Sequence, residues 1–383
     1  MMKNMNWNYP TSIWFGVSRI NDIQQACNEL KISNPLIVTD PGILKTNIIN
    51  KINNSLDLKT NIFSNVQSNP TGSNVEEGVK YFNKQNHDGV IAVGGGSGMD
   101  TGKGIAFMSK QKRPIWDFED IDDWWTRADN ELIFPIIAVP TTAGTGSETG
   151  RASVFTNEST KEKKIIFHPK MLPSIVILDP ELTVPLPSSL TAFTGMDALA
   201  HCLEAYCSNN FHPLSQGIAL EGMKMIKDNI ITAFTDGKNI EARANMLVSS
   251  SMGSIAFQKG LGAIHSLSHP VGAIYNTHHG LTNAVFMPYV LKYNKEVIQS
   301  KITDLSKYIN LSNPSFEVFM DWIIEIRQTL KIPHTLKELI NDQTKLELMS
   351  EMAYNDPSTS SNPVKLNKKD FLELYKEAYE GDL

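Results

Sequence analysis

Gly89-Val90-Ile91-Ala92-Val93-Gly94-Gly95-Gly96-Ser97-Gly98-Met99-Asp100-Thr101-Gly102-Lys103 is the stretch on which the fold turns. Its opening is a short apolar run of the kind that makes a strand buried on both faces. Glycines follow at positions 94, 95, 96 and 98, and a helical pattern opens behind them. In a strand–glycine loop–helix unit, backbone N–H groups and the helix N-terminus can face an anion such as pyrophosphate. Consecutive glycines also admit positive φ and close approach of a ligand. The unit departs from the dinucleotide fingerprint. Met99 stands where G-x-G-x-x-G needs its third glycine, and the acidic residue expected about 20 positions later is not at its usual place.

Working outward, Leu36-Ile37-Val38-Thr39-Asp40 reads as an earlier buried strand, broken by Pro41-Gly42. The polar stretch from Val75 to His87 is long enough for a crossover helix. Downstream, Phe134 to Pro140 and Ser174 to Asp179 read as two more strands. This alternation predicts an α/β domain with a doubly wound, mainly parallel sheet. Val139-Pro140-Thr141-Thr142-Ala143-Gly144-Thr145-Gly146-Ser147-Glu148 reads on its own as a capped loop rich in hydroxyls and glycine.

From about Leu186 the pattern changes. Pro187 to Thr191 offers capping residues, and helical periodicity then dominates, as in Gln216–Thr232, Ile240–Phe257, Ser315–Leu330 and Lys368–Tyr379. No further strand of comparable strength is visible. The expected organisation is an α/β domain over residues 1–185 and an all-helical domain over 186–383. The Ser/Asn/Pro segment from Asp356 to Pro363 reads as a loop.

At 383 residues the chain exceeds one ordinary core, and 41% hydrophobic with 20% charged residues fits a soluble globular protein. A net charge of −6 leaves no basic footprint for nucleic acid. Met1 to Pro10 is polar, without the apolar core of a signal peptide, and no apolar run approaches the roughly 20 residues of a spanning helix. Cys27, Cys202 and Cys207 make no CxxC pair and no disulfide framework. Cys202, beside His201, points about 100° away from it on a helix and is read as a packing residue. These features lead to a cytoplasmic expectation, with no nucleic-acid or membrane partner.

Chemistry concentrates in Gly262-Ala263-Ile264-His265-Ser266-Leu267-Ser268-His269-Pro270-Val271-Gly272-Ala273-Ile274-Tyr275-Asn276-Thr277-His278-His279-Gly280, which holds four of the nine histidines. A single histidine is usually just satisfied by hydrogen bonds, but a second segment changes the reading. Gly195-Met196-Asp197-Ala198-Leu199-Ala200-His201 sets a carboxylate and an imidazole four apart, on one helix face. Facing His265 and His279, they would make an O,N,N,N site for a divalent cation.

These two segments resemble the signatures of the iron-containing (group III) alcohol dehydrogenases, and the resemblance extends over nearly the whole chain. It implies a dehydroquinate synthase-like fold with the active site in the cleft between the two domains, and a homodimer or higher homo-oligomer. The family's metal ligands match Asp197, His201, His265 and His279. Its further histidine, near substrate and nicotinamide but not a ligand, matches His269; His278 is then a neighbour of the site. The GGGS-x-x-D segment is the family's pyrophosphate loop, which implicates Gly95, Gly96, Ser97 and Asp100. The PTTAGTGSE segment lies along the cofactor in the family, which adds Thr141, Thr142 and Ser147, and Asn69 and Lys163 (or Lys164) match further cofactor-side positions. Against the usual family version, Gly98, Gly102 and Gly104 are extra glycines, expected to loosen the following helix by up to about 1 kcal/mol each.

Asp40, at the carboxyl end of its strand, can accept hydrogen bonds from an adenosine ribose and repel a 2′-phosphate, favouring NAD over NADP. The parts together imply NAD(H)-linked hydride transfer between nicotinamide and a primary alcohol or aldehyde. The metal is the Lewis acid and His269 the proton path to solvent. The ligand set suits Fe2+ and Zn2+ alike; iron comes from the resemblance. Arg151 and Lys259 stand where the family usually carries other residues: either both reach solvent or pair with surface carboxylates, or both face the cleft, where they would suit a substrate with an anionic tail, as in the 4-hydroxybutyrate dehydrogenase branch. Phosphono- or sulfo-acetaldehyde reduction is an alternative within the family. A metal-dependent hydrolase or lyase, or a metal-stabilised binding module, are the rival classes, and each leaves the glycine loop idle.

Overall fold

Four runs of purely apolar or small residues become the centre of one sheet. The computed structural model describes residues 11–383; Met1 to Pro10, the segment read for a signal peptide, lie outside the described residues. The described chain divides into two compact units, one ending at Leu186 and the other beginning at Pro187.

The first unit runs β1 (Ser12–Phe15), α1 (Ile23–Glu29), β2 (Pro35–Val38), α2 (Ile48–Asn54), β3 (Asn61–Phe63), α3 (Gly72–Lys84), β4 (Gly89–Gly94) and α4 (Gly96–Met108). It continues with β5 (Ile136–Pro140), β6 (Ala152–Asn157), β7 (Glu162–Phe167) and β8 (Ile175–Leu178). Six strands form a parallel sheet in the order β1-β8-β5-β4-β2-β3. Its inner strands β2, β4, β5 and β8 are buried throughout, as a sheet with both faces covered requires. Ile37, Ile91, Val93, Ile137, Val139 and Ile177 pack one face against Ile23, Ile48 and Ile52 of α1 and α2. The chain adds β3 on one side of β2, then β4 and β5 on the other. The order therefore reverses between β2 and β4, where open α/β sheets place ligands beyond the strands' carboxyl ends. Asp40 and the Gly94–Gly98 loop follow those two strands.

The hairpin β6–β7, antiparallel and separate from the main sheet, was not legible in the sequence. Nine of its twelve residues are only partly buried, and β7 opens with Glu162, Lys163 and Lys164, so the continuous apolar signal that marks the inner strands is missing.

The glycines of α4, expected to cost helix propensity, have a use in packing. The helix spans thirteen residues, and a Cβ on Gly102 would lie 2.6 Å from Ala92 Cβ, one on Gly104 2.8 Å from Phe155. These glycines let α4 lie close on the sheet and on the hairpin.

The second unit is helical: α5 (Ser188–Cys207), α6 (Pro213–Thr235), α7 (Ile240–Ala256), α8 (Ala263–Tyr275), α9 (His279–Tyr308), α10 (Phe316–Thr329), α11 (Leu346–Tyr354) and α12 (Lys368–Glu380). Among the described residues it has no strand. Helix α5 starts after Pro187 without a side-chain cap, so the capping expected from Ser188 and Ser189 does not occur; both already lie in the first turn. Helix α5 packs against α6, α7 and α9, and sixteen of its twenty residues are buried. No helix among the described residues is long and apolar enough to cross a membrane.

Candidate metal centre and cofactor loop

Helix α5 carries Asp197 and His201 one turn apart, and α8 and α9 meet it at their first turns. Gly280 makes the approach possible. A Cβ there would come 2.3 Å from the Phe193 carbonyl and 2.8 Å from Asp197 Cβ. A carboxylate oxygen of Asp197 and ring nitrogens of His265 and His279 all lie within 4.8 Å of one another, the group among the described residues able to hold a metal. Asp197 is 2% and His265 1% exposed, so this is a desolvated place for charge.

Donor chemistry shows that the three fit a cation. Glu204 Oε2 lies 2.5 Å from His265 Nδ1, and a carboxylate only accepts, so Nδ1 carries the proton and Nε2 offers its lone pair. Burial opposes charging of His265, but Glu204, and more distantly Asp197 and Asp356, raise its pKa above the ordinary value. Asn283 Nδ2 donates to Asp197 Oδ1 at 2.8 Å and lies 3.3 Å from His265 Nε2 and 3.2 Å from His279 Nε2. Three acceptors thus converge on the partial positive charge of one amide, a demand a divalent ion meets more fully.

His201 is not in that group. Its ring stacks on His265 with centroids 4.7 Å apart and an interplanar angle of 23°, and tilts against Phe257 at 5.4 Å. Its ring nitrogens fall outside the set of ligand atoms that lie within 4.8 Å of one another. His278 caps α9, its Nδ1 accepting from the Leu281 amide, and its ring sits 5.3 Å from that of Phe193. His269 stacks on His279, centroids 5.3 Å apart, and its Nδ1 lies 2.7 Å from Asp356 Oδ2.

Glu204 and Asp356 are two residues of this centre that sequence reading missed. A signal existed for Glu204: it stands seven residues after Asp197 and three after His201, on the same helix face. Asp356 had no such signal, because its segment has no periodicity of its own.

Lys259 requires a correction. It is 2% exposed, and its Nζ donates to the Tyr206 carbonyl at 2.8 Å, near the end of α5. Burial, with nearby Lys301, pushes its pKa down to about 8, the effect opposed by Cys207. A buried amine that donates to a backbone carbonyl is accounted for by its own packing, so the structure lends no support to Lys259 as a substrate contact. Arg151 lies 5.3 Å over the Phe167 ring, and its charge is matched to that of Asp120.

In the first unit, α4 has Gly95 as its N-cap with no side-chain cap, and its first intrahelical bond runs from Met99 N to Gly95 O. The amides of Gly96, Ser97 and Gly98 therefore lack helical partners, as an anion cradle needs. Only Gly94 in this loop has positive φ, at 142°. The other glycines serve close approach: a Cβ on Gly95 would meet Thr142 at 3.1 Å, and one on Gly96 would meet Thr145 at 2.7 Å. The two glycine-rich turns thus lie side by side. Thr141, 2% exposed, donates its amide to the Gly94 carbonyl at 3.0 Å.

Asp100 holds these parts together. It accepts from Ser147 Oγ at 2.5 Å and from the Val154 amide at 2.9 Å. The fully buried Lys103, also unforeseen, donates to the Ser147 and Ala152 carbonyls at 3.0 and 2.5 Å, with Asp100 at 3.3 Å. Ser97 Oγ donates to the Ser68 carbonyl at 2.5 Å, and the Pro70 carbonyl, after Asn69, accepts from Thr156, the partner of Lys163 across the hairpin. Asp40 Oδ1 accepts from Gly42 and Ile43 amides at 2.7 and 3.2 Å, with Oδ2 3.3 Å from where Gly94 would carry a Cβ.

Two family models match the chain: iron-containing alcohol dehydrogenase over residues 10–180, and the Fe-containing alcohol dehydrogenase family C-terminal region over 191–379. A 1,3-propanediol dehydrogenase of Citrobacter freundii is 34% identical over 97% of each chain. A 4-hydroxybutyrate dehydrogenase of Cupriavidus necator is 38% identical over 75% of this chain and 76% of that one. The crystal structure of a sulfoacetaldehyde reductase from Bifidobacterium kashiwanohense in complex with NAD+ is 26% identical and superimposes with a TM-score of 0.89, covering 99% of this chain and 100% of that one.

Proposed function

The chain belongs to the iron-containing alcohol dehydrogenase family of oxidoreductases, and from that premise we propose that it interconverts a short primary alcohol and its aldehyde using ferrous iron and NAD(H). The observation that carries this reading is the convergence of Asp197, His265 and His279, with Glu204 holding His265 in the metal-ready tautomer. His201, turned in from its stack on His265, is the fourth ligand; Zn2+ is the alternative ion.

Bound there, the ion supplies Lewis-acid polarisation of the substrate oxygen. Nicotinamide supplies the hydride chemistry. The chain's own residues do the rest. The orphan amides of Gly96, Ser97 and Gly98 receive the pyrophosphate. Gly95, Thr141 and Thr142 shape the loop, Asp100 and Ser147 brace it, and Asn69 and Lys163 flank it. Asp40 accepts from the ribose hydroxyls and disfavours a 2′-phosphate, and NAD+ in the sulfoacetaldehyde reductase supports the same choice. His269 takes the alcohol proton towards solvent.

With Lys259 committed to backbone, an anionic substrate tail has Arg151 as its one remaining candidate partner. The similarity to a 4-hydroxybutyrate dehydrogenase keeps succinic semialdehyde on the substrate panel, beside 3-hydroxypropanal, sulfoacetaldehyde and butanal. Iron-reconstituted protein should consume NADH, followed at 340 nm, with at least one of these aldehydes and lose that activity on chelation. No NADH consumption with any of them, or full activity in metal-free protein, would overturn the reading.

A further inference from the structure

The segment from Asp356 to Asn362, a loop by sequence, lies along α8 as a three-point splint. Its 3-10 turn spans Pro357–Ser361. Asp356 Oδ2 lies 2.7 Å from His269 Nδ1, Thr359 Oγ1 lies 2.8 Å from Ser266 Oγ, and Asn362 Oδ1 accepts from the Ala263 amide at 3.1 Å. The partners step by three residues in both strands of chain, in opposite directions. Such spacing keeps one face of the 3-10 turn against one face of the helix.

Asp356 is itself fixed. Its Oδ1 accepts from the Ser358 amide at 2.9 Å, so Oδ2 is the oxygen turned to His269. A carboxylate oxygen can only accept, so His269 Nδ1 carries a proton, and in the neutral imidazole the lone pair then sits on Nε2. We propose that Asp356 is a positioning residue that acts through His269, holding it in the Nδ1–H tautomer so that Nε2 is its proton acceptor.

The role assigned to Nε2 rests on the function proposed above; the tautomer does not. Asp356→Asn tests both. The Ser358 amide still demands an acceptor, so the Asn side chain keeps its oxygen there and turns its NH2 to His269. That donor facing Nδ1 selects the opposite, Nε2–H tautomer. In 15N-histidine spectra of the Zn-loaded full-length protein, with His269 assigned by its loss in His269→Ala, wild type should show Nδ1–H and Asp356→Asn should show Nε2–H. With the iron enzyme, kcat should fall about 10- to 100-fold, while bound metal and KM for NAD stay within twofold. On the His269→Ala background the same substitution should change kcat less than twofold, because its only route is then gone. Asp356→Glu, which keeps the carboxylate, should restore the Nδ1–H tautomer and most of kcat.

An unchanged tautomer in Asp356→Asn would overturn the proposal, as would losses that multiply in the double variant. So would an Asp356→Glu as impaired as Asp356→Asn. A wild type inert with NAD(H) would instead overturn the proposed function, and the spectra would still decide what Asp356 does to His269.

Discussion

Glu204 grips the N-terminal turn of α8 at two points: Oε2 lies 2.5 Å from His265 Nδ1, and Oε1 accepts from the Ile264 amide at 2.7 Å. One carboxylate, 6% exposed, thereby fixes both the orientation and the tautomer of a proposed ligand. Substituting Glu204→Gln replaces an obligate acceptor by a group that can also donate, which frees His265 to present a protonated Nε2. Metal affinity, measured by competition with a chromophoric chelator, should fall about 10- to 100-fold. Unchanged affinity would show that His265 needs no such partner.

His201 gives a prediction of its own, because its ring is stacked on His265 and not among the converging donors. If it turns in as the fourth ligand, His201→Ala should weaken metal binding at least tenfold, with the far-ultraviolet spectrum and cooperative unfolding retained. Metal affinity equal to wild type would leave three protein ligands and make His201 a packing residue.

Asp40→Gly should raise kcat/KM with NADP relative to NAD, because it removes a carboxylate from the place where a 2′-phosphate would sit. The change is read from parallel assays with the two cofactors. A wild type that already prefers NADP contradicts the role given to Asp40.

Lys259 predicts a pH signature. Its folded pKa is lowered to about 8 by burial and by Lys301, from 10.5 for an exposed lysine. Between those values the unfolded chain binds the extra proton, so this residue's contribution to stability rises with pH from about 8 to about 10.5. In paired urea titrations, wild type should gain on Lys259→Met over that range, by no more than about 3 kcal/mol. A difference that does not vary with pH would mean the amine titrates normally.

The parallel sheet was legible because its inner strands are runs such as Val90-Ile91-Ala92-Val93, buried on both faces and apolar without alternation. Helices such as α7 and α12 declared themselves by period. The hairpin β6–β7 did not, because a half-exposed ribbon of mixed composition, with three charges at the start of β7, carries neither signal. The use of the glycines of α4 was hidden for a related reason: helix propensity counts their cost, and only the neighbours Ala92 and Phe155 show what they allow.

The sequence by itself determined the chemistry available to this protein. Asp197 and His201 share a helix face through the pitch of the helix, and a strand running into glycines and a helix start presents orphan amides, both consequences of local geometry. Tertiary structure decided which of those groups meet. Contacts such as Glu204 with His265 across 61 residues, or His269 with Asp356 across 87, depend on how α5, α8 and a 3-10 turn pack, and no local period encodes them. The same packing buried Lys259 against the Tyr206 carbonyl, 53 residues away, and gave its amine a backbone partner. A charge is free to bind a ligand only where folding leaves it without a better partner, and that is settled by long-range contacts.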